Sequence, residues 1–212
     1  MKRDEALDRI LSLKVIAVIR MSDPEKLFSV TEAIKRGGVK AIEITLTTPG
    51  ALDVIREMSA KKSADVLIGA GTVLDAETAD AAIDAGAEFV VSPVTNFDMI
   101  QVCRRRDTFV APGAFTPTEI VAAWKQGADV VKVFPATSLG PKYFKDLKGP
   151  LPQIRLMPTG GVSLENAADF IKNGACCVAI GTALLDQKSI ERNDWEALTA
   201  KAAALVESLR GI

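Results

Sequence analysis

The chain has 212 residues, 48% of them hydrophobic, and 26 basic against 27 acidic side chains leave a net charge of −1. That length supports one sizeable core and leaves little room for two domains. The near-neutral charge argues against a nucleic-acid partner held by a general positive field. No apolar stretch approaches the roughly 20 residues of a membrane span, and the charged start, Met1 to Leu11, lacks a signal-peptide core. A cytoplasmic protein with neither membrane nor nucleic-acid partner is expected.

In chain order, a leading amphipathic helix is predicted over 3–12, then a strand at 15–19 that ends on Arg20. A guanidinium at a strand's C-terminal end suits a bidentate carboxylate or phosphate contact, and it suits equally a surface pair with Asp23 or Glu25. A helix at 23–36 leads to the strand 40–46, which carries Glu43 among apolar neighbours. Helix 50–61, strand 66–70, helix 75–85, strand 88–92, helix 97–106, strand 108–111 and helix 117–126 follow. Arg104-Arg105-Arg106 falls in the last turn of its helix, where it complements the helix dipole. Thr116-Pro117-Thr118-Glu119 reads as a capped helix start.

The strand at 130–134 holds Lys132 alone in the run Asp129-Val130-Val131-Lys132-Val133-Phe134-Pro135. An ammonium among valines loses hydration, which favours the neutral amine, a nucleophile toward carbonyls. The competing reading is a lysine whose stem lies on the strand while its head reaches a carboxylate. Phe134 and Pro135 serve either as core or as a wall beside the lysine. Helix 141–147, strand 154–157, helix 164–173, strand 177–181 and a final helix at 191–209 complete the pattern. Eight strands each followed by a helix imply a parallel sheet with crossovers, closed as a (β/α)8 TIM barrel with an extra N-terminal helix, one domain over 1–212.

Four predicted helix exits share one phrase: Gly38-Val39, Gly86-Ala87, Gly127-Ala128 and Gly174-Ala175. Glycine suits the left-handed position that ends a helix. Five residues beyond these glycines stand Glu43, Val91, Lys132 and Ala179, which the strand period places on equivalent faces. Glu43 and Lys132 are therefore the charged members of one register set. A structural salt bridge across the lumen is one outcome, but buried pairs are weak stabilising devices, and a reactive pair fits better.

Glycine- and hydroxyl-bearing turns follow several strands, at Gly69-Ala70-Gly71-Thr72, Ser92-Pro93, Pro158-Thr159-Gly160-Gly161 and Gly181-Thr182. In a barrel these loops build the C-terminal face, where the active site lies. The last two turns would hold a phosphate on Gly160, Gly161, Gly181 and Thr182, through backbone N–H groups and the helix N-termini that follow. The chain has no histidine. That removes Ser-His-Asp and Cys-His arrangements and imidazole metal sites, so acid–base work falls to carboxylate, lysine, tyrosine or water. Cys103, Cys176 and Cys177 give neither a disulfide framework nor zinc-type spacing.

The blocks Glu43-Ile44-Thr45, Gly69-Ala70-Gly71-Thr72-Val73, Val91-Ser92-Pro93, Lys132-Val133-Phe134-Pro135-Ala136 and Pro158-Thr159-Gly160-Gly161-Val162 carry a family likeness. Over essentially its whole length the chain resembles the 2-keto-3-deoxy-6-phosphogluconate (KDPG) / 2-keto-4-hydroxyglutarate (KHG) aldolases, class I pyruvate aldolases. The resemblance implies a Schiff base on Lys132, general acid/base work by Glu43, and a pyruvyl pocket lined by Thr72, Pro93 and Phe134, with Thr159 touching substrate. It implies a small-molecule keto-acid or sugar-acid phosphate substrate, a homotrimer, and no cofactor or metal. Some relatives carry an arginine after the Glu-x-Thr-Leu segment where this chain has Thr47, which makes Arg20 the carboxylate candidate. A phosphosugar isomerase or epimerase using Glu43 as base is the alternative reading, and a non-catalytic scaffold a third.

Overall fold

A computed structural model describes residues 1–21 and 23–212; the side chains of Pro24 and Glu25 lie outside that description. Strands β1 (Val15–Ile19), β2 (Ala41–Thr45), β3 (Leu67–Gly71), β4 (Phe89–Val91) and β5 (Phe109–Ala111) appear where expected, within one or two residues. So do β7 (Val131–Val133), β8 (Leu156–Pro158) and β9 (Val178–Ile180). A two-residue strand, β6 (Gly113–Ala114), is additional to those expected. Around the strands run helices α1 (Arg3–Leu13), α2 (Pro24–Arg36), α3 (Ala51–Lys61), α4 (Ala76–Asp84) and α5 (Phe97–Arg105). The second half adds α6 (Pro117–Lys125), α7 (Gly140–Lys148), α8 (Ala167–Lys172), α9 (Gln187–Glu191) and α10 (Trp195–Ser208). None of these is long and apolar enough to cross a membrane.

Every pairing among the described strands is parallel. The ladders do not form the uninterrupted ring of eight expected from the sequence. They divide into a curled half-barrel of six strands, β5-β4-β3-β2-β1-β9, and a group of three, β6-β7-β8. The break between β5 and β6 has a local cause, because Pro112 has no N–H to donate to a ladder. Between β8 and β9 only a single bridge forms, Thr159 to Ala179. Two helices also differ from expectation. The helix predicted at 164–173 starts only at Ala167, and the stretch from 187 folds as a separate short helix before α10.

The strands are buried on both faces, as covered parallel sheets require. One face packs under the helices through Ile19, Ile42, Ile44, Ile68, Val90, Val110 and Val131. The opposite face gathers Ile16, Leu67, Phe89, Val91, Phe109, Val130, Met157 and Cys177, and α1 closes that cluster with Ala6, Leu7 and Ile10. The leading helix is thus a plug on the inner face. Arg3 holds it there by donating to Asp129 Oδ1 at 3.1 Å, while Asp129 Oδ2 accepts from Val110 N at 2.9 Å. Asp129→Ala strands one backbone donor and leaves Arg3 only its exposed pair with Asp4. It is expected to lower stability by about 1–3 kcal/mol, read from the urea midpoint at unchanged slope.

The helix-exit glycines Gly38, Gly86, Gly127 and Gly174 all adopt left-handed φ, from 95° to 101°. The Thr116 capping box forms, with Glu119 Oε2 accepting from Thr116 N at 2.8 Å. Arg106 lies one residue beyond α5 and pairs with Asp80 and Asp84 of α4, so part of the basic cluster serves a helix–helix contact.

Candidate functional site

Glu43 is central in β2, where it pairs in register with Val18 of β1 and Gly69 of β3. Lys132 is central in β7, opposite Gly113 and Met157. Both belong to the inner face, since Val91 and Ala179, their register equivalents, lie in the inner cluster. Glu43 is 1% exposed and Lys132 5%. They meet in one cavity of about 390 Å³ at the C-terminal ends of the strands. The same cavity is lined by Arg20, Thr72, Pro93, Phe134, Thr159, Gly160, Gly161, Gly181 and Thr182, so every site residue expected from the sequence converges on it.

The lumenal salt bridge considered above does not form. Neither carboxylate oxygen of Glu43 has a hydrogen-bond partner among the described residues. Desolvation raises the Glu43 pKa above the ordinary carboxylate value, and the charges of Lys132 and Arg20 only partly offset it. A buried acid kept free of structural partners is available to exchange a proton.

The neighbouring strand makes room for it. A Cβ built on Gly71 would overlap Glu43 Oε1. Gly71→Ala should therefore push the carboxylate aside, costing about 1–3 kcal/mol of stability through overpacking. The accompanying loss in kcat should exceed tenfold, because a small misplacement of a reacting group is expensive. Thermal unfolding and steady-state kinetics on the purified variant check both effects. Next in the chain, Thr72 has φ of 61°, a strained value for a β-branched residue. Backbone bonds on either side, Leu46 N to Gly71 O at 2.8 Å and Val73 N to Val91 O at 3.2 Å, hold that turn.

Phe134 resolves as wall rather than core. It is 37% exposed, and its ring centroid lies 5.3 Å from Lys132 Nζ. Thr159 is buried, and its hydroxyl has no partner among the described residues. Beyond it, Gly160 and Gly161 take φ of 84° and 73°. A side chain at Gly161 would crowd Thr137 Cα at 2.7 Å. Asn166 ties the loop, donating to Gly161 O at 2.9 Å and accepting from Ser163 N at 2.8 Å.

The anion cradle differs from expectation in its helices. α8 starts six residues past Gly161 and is short, and the first turn of α9 is already capped by Asp186 accepting from Ser189 N at 2.9 Å. In their place, Gly181 O accepts from Leu184 N and Leu185 N, each at 3.0 Å, making one helical turn directly after β9. The first amides of such a turn have no partner within it and remain free to meet an anion. A methyl group added at Gly181 would find its nearest neighbour, Val18 O, at 3.5 Å, and φ there is ordinary, so neither space nor backbone conformation demands glycine.

Arg20 is exposed on the cavity wall, and its charge is felt at Glu43. Of its suggested surface partners, Asp23 accepts from Lys26 N at 3.2 Å, and the Glu25 side chain lies outside the described residues. Thr47, exposed, is 3.1 Å from the Thr45 hydroxyl, which also approaches Thr48 at 3.4 Å. Thr45, given no site role in the sequence beyond its place in a family block, lines the cavity too; two residues on from Glu43 it shares that face. Gly71 had its signal too, as a small residue beside the charged strand. Met21, Leu185, Gln187 and Ile190 line the outer end with no local signal, because their loops had to fold back to reach it.

An amine and an unpaired carboxylate facing one cavity, with glycine turns at the strand ends, suit an α/β enzyme of carbonyl chemistry. A family profile described as "KDPG and KHG aldolase" matches residues 7–201, and the chain belongs to that family. It is 38% identical over 184 residues to a 2-dehydro-3-deoxy-phosphogluconate aldolase of Pseudomonas aeruginosa, covering 86% of this chain and 83% of the relative. To the enzyme of the same name from Haemophilus influenzae it is 31% identical over 207 residues, 97% of both chains. A solved KDPG aldolase of Legionella pneumophila, with pyruvate captured as a covalent carbinolamine, superposes with a TM-score of 0.86 at 27% identity, covering 94% of this chain and 97% of that one.

Proposed function

We propose that the protein is a class I aldolase that reversibly cleaves KDPG, or 4-hydroxy-2-oxoglutarate, to pyruvate and an aldehyde, with Lys132 and Glu43 as its catalytic groups. The observation that carries the reading is the buried pair itself, two groups of opposite kind facing one cavity without bonding each other. The Lys132 amine adds to the C2 ketone, and loss of water gives an iminium. Glu43 takes the proton of the C4 hydroxyl. The C3–C4 bond then breaks, its electron pair flows into the iminium to leave an enamine, and the aldehyde departs. Protonation at C3 and hydrolysis release pyruvate and restore the lysine. Thr72, Pro93, Phe134 and Thr159 surround the pyruvyl part, Arg20 holds its carboxylate, and the amides of Gly160, Gly161, Gly181 and Thr182 hold the phosphate. No cofactor or metal enters these steps. An isomerase would leave the Lys132 amine without work.

The two sheets are read as one (β/α)8 barrel and one domain over 1–212. Bonds across the Pro112 seam support this, Asp129 N to Val110 O at 3.0 Å and Lys132 N to Pro112 O at 2.9 Å, together with the Thr159–Ala179 bridge. A homotrimer is supported by exposed apolar side chains on the segments that follow β3, β4 and β6: Leu74, Val94, Phe97 at the start of α5, and Phe115. A cytoplasmic location fits three free cysteines.

Borohydride reduction in the presence of pyruvate tests the central claim. A pyruvate adduct on the peptide bearing Lys132 is expected, and a lysine left unmodified under conditions that reduce imines would overturn it. Retro-aldol kcat/KM on KDPG, its phosphogalactonate-derived epimer and KHG then ranks the substrates.

A further inference from the structure

Four side chains that the aldolase mechanism does not use close the outer end of the cavity: Met21 after β1, and Leu185, Gln187 and Ile190 after β9. Three are apolar, so the hydrogen-bonding capacity among them rests with Gln187. Its place is built rather than incidental. Asp186 caps α9, accepting from both the amide and the hydroxyl of Ser189, and pairs at 3.6 Å with Lys201 of α10. Ile190 is buried beneath the same helix. Gln187 Nε2 donates to Glu191 Oε1 at 3.1 Å. With its donor end so engaged, the carboxamide keeps Oε1 as its free acceptor.

Under the aldolase reading above, on which this inference rests, nearly every heteroatom of KDPG has a partner. Lys132 takes the C2 ketone, Glu43 the C4 hydroxyl, Arg20 the carboxylate and the glycine-turn amides the phosphate. The C5 hydroxyl remains. It lies one carbon from the phosphate-bearing end, and Gln187 follows the Gly181–Thr182 half of the cradle by five residues.

We propose that Gln187 is a specificity-determining residue whose Oε1 accepts a hydrogen bond from the substrate's C5 hydroxyl. Gln187 is itself exposed, and Met21, Leu185 and Ile190 beside it offer no competing hydrogen bond, so a substrate hydroxyl reaching this wall meets its Oε1. KHG ends in a carboxylate at C5 and has no such hydroxyl. Gln187 therefore favours the six-carbon substrate without affecting the reaction at Lys132.

The test is Gln187→Met, which keeps the side chain's length and removes the acceptor. For KDPG, kcat/KM should fall about three- to tenfold, the range of one neutral hydrogen bond. For KHG it should not change. With wild-type protein, 5-deoxy-KDPG should be disfavoured by the same factor, and the variant should show no further loss on that analogue, as a double cycle requires. Unchanged KDPG cleavage by the variant, or equal losses on KDPG and KHG, overturns the assignment. The two readings separate in the wild-type controls: a wild-type protein that cleaves neither substrate and forms no pyruvate adduct overturns the aldolase reading and this one with it. A wild-type aldolase with an indifferent variant overturns only the role of Gln187.

Discussion

Lys132→Met is expected to lower retro-aldol kcat/KM by about four orders of magnitude, or about 5–6 kcal/mol of transition-state stabilisation at about 1.4 kcal/mol per decade. Under the proposed mechanism the amine is the covalent electron sink, and no other lysine among the described residues lines the cavity. Methionine suits the comparison because it is unbranched, similar in length and at home in a core. At 5% exposure the side chain is already withdrawn from water, with the Phe134 ring centroid 5.3 Å from its Nζ. Folding should therefore survive, and the urea midpoint should stay level or rise, since replacing a buried polar head by a packed apolar one is often neutral or stabilising. Loss of activity with retained stability, and loss of the borohydride-trapped adduct, is the expected signature. Residual cleavage within tenfold of wild type would mean that the covalent step runs elsewhere.

Glu43→Gln separates proton transfer from imine formation. Positioned acid–base groups contribute typically about 10²- to 10⁴-fold, and kcat should fall in that range. The pyruvate adduct should still form on Lys132 in the variant, because the amine and its pocket are intact. Two pH effects follow from the raised pKa of Glu43. The acid limb of wild-type kcat/KM, where the base becomes protonated, should lie above the ordinary carboxylate range and disappear in the variant. For stability, a carboxyl with a folded-state pKa above its unfolded value binds its proton more tightly when folded. Its favourable contribution is complete below the unfolded pKa and is lost as pH rises through the folded one. Wild-type protein should therefore lose stability relative to Glu43→Gln as pH rises through that interval. Chemical denaturation of both proteins at several pH values reads the difference directly. A constant difference across that range would show that Glu43 does not carry the burial penalty.

Under the proposed mechanism such a penalty is a cost the fold accepts for a reactive group. Gly71 keeps space for the carboxylate, and both oxygens go without partners among the described residues. Strain at Thr72 and the orphaned hydroxyl of Thr159 lie on the same cavity. Unfavourable features concentrated at one place are expected where function, rather than stability, chose the residues.

Local chemistry made much of this readable from the chain alone. Strand and helix periods, helix-exit glycines and turn residues are short-range signals, and they placed all eight principal strands. The five-residue count from those glycines put Glu43 and Lys132 on one face because strands alternate with a fixed period of two. The lysine among valines stood out as a charge without solvent. What the sequence by itself determined is therefore the parallel α/β alternation and the identity of the inward residues.

Contacts between distant segments were decided only in three dimensions. Whether Glu43 and Lys132 would bond each other depends on the spacing across the lumen. The use of α1 as a plug depends on Arg3 meeting Asp129, 126 residues away. The outer wall, with Gln187 in it, depends on how loops after β1 and β9 fold back over the cavity. Such pairings leave no periodic trace in the chain, since their energy arises from packing and desolvation that exist only once the strands are assembled.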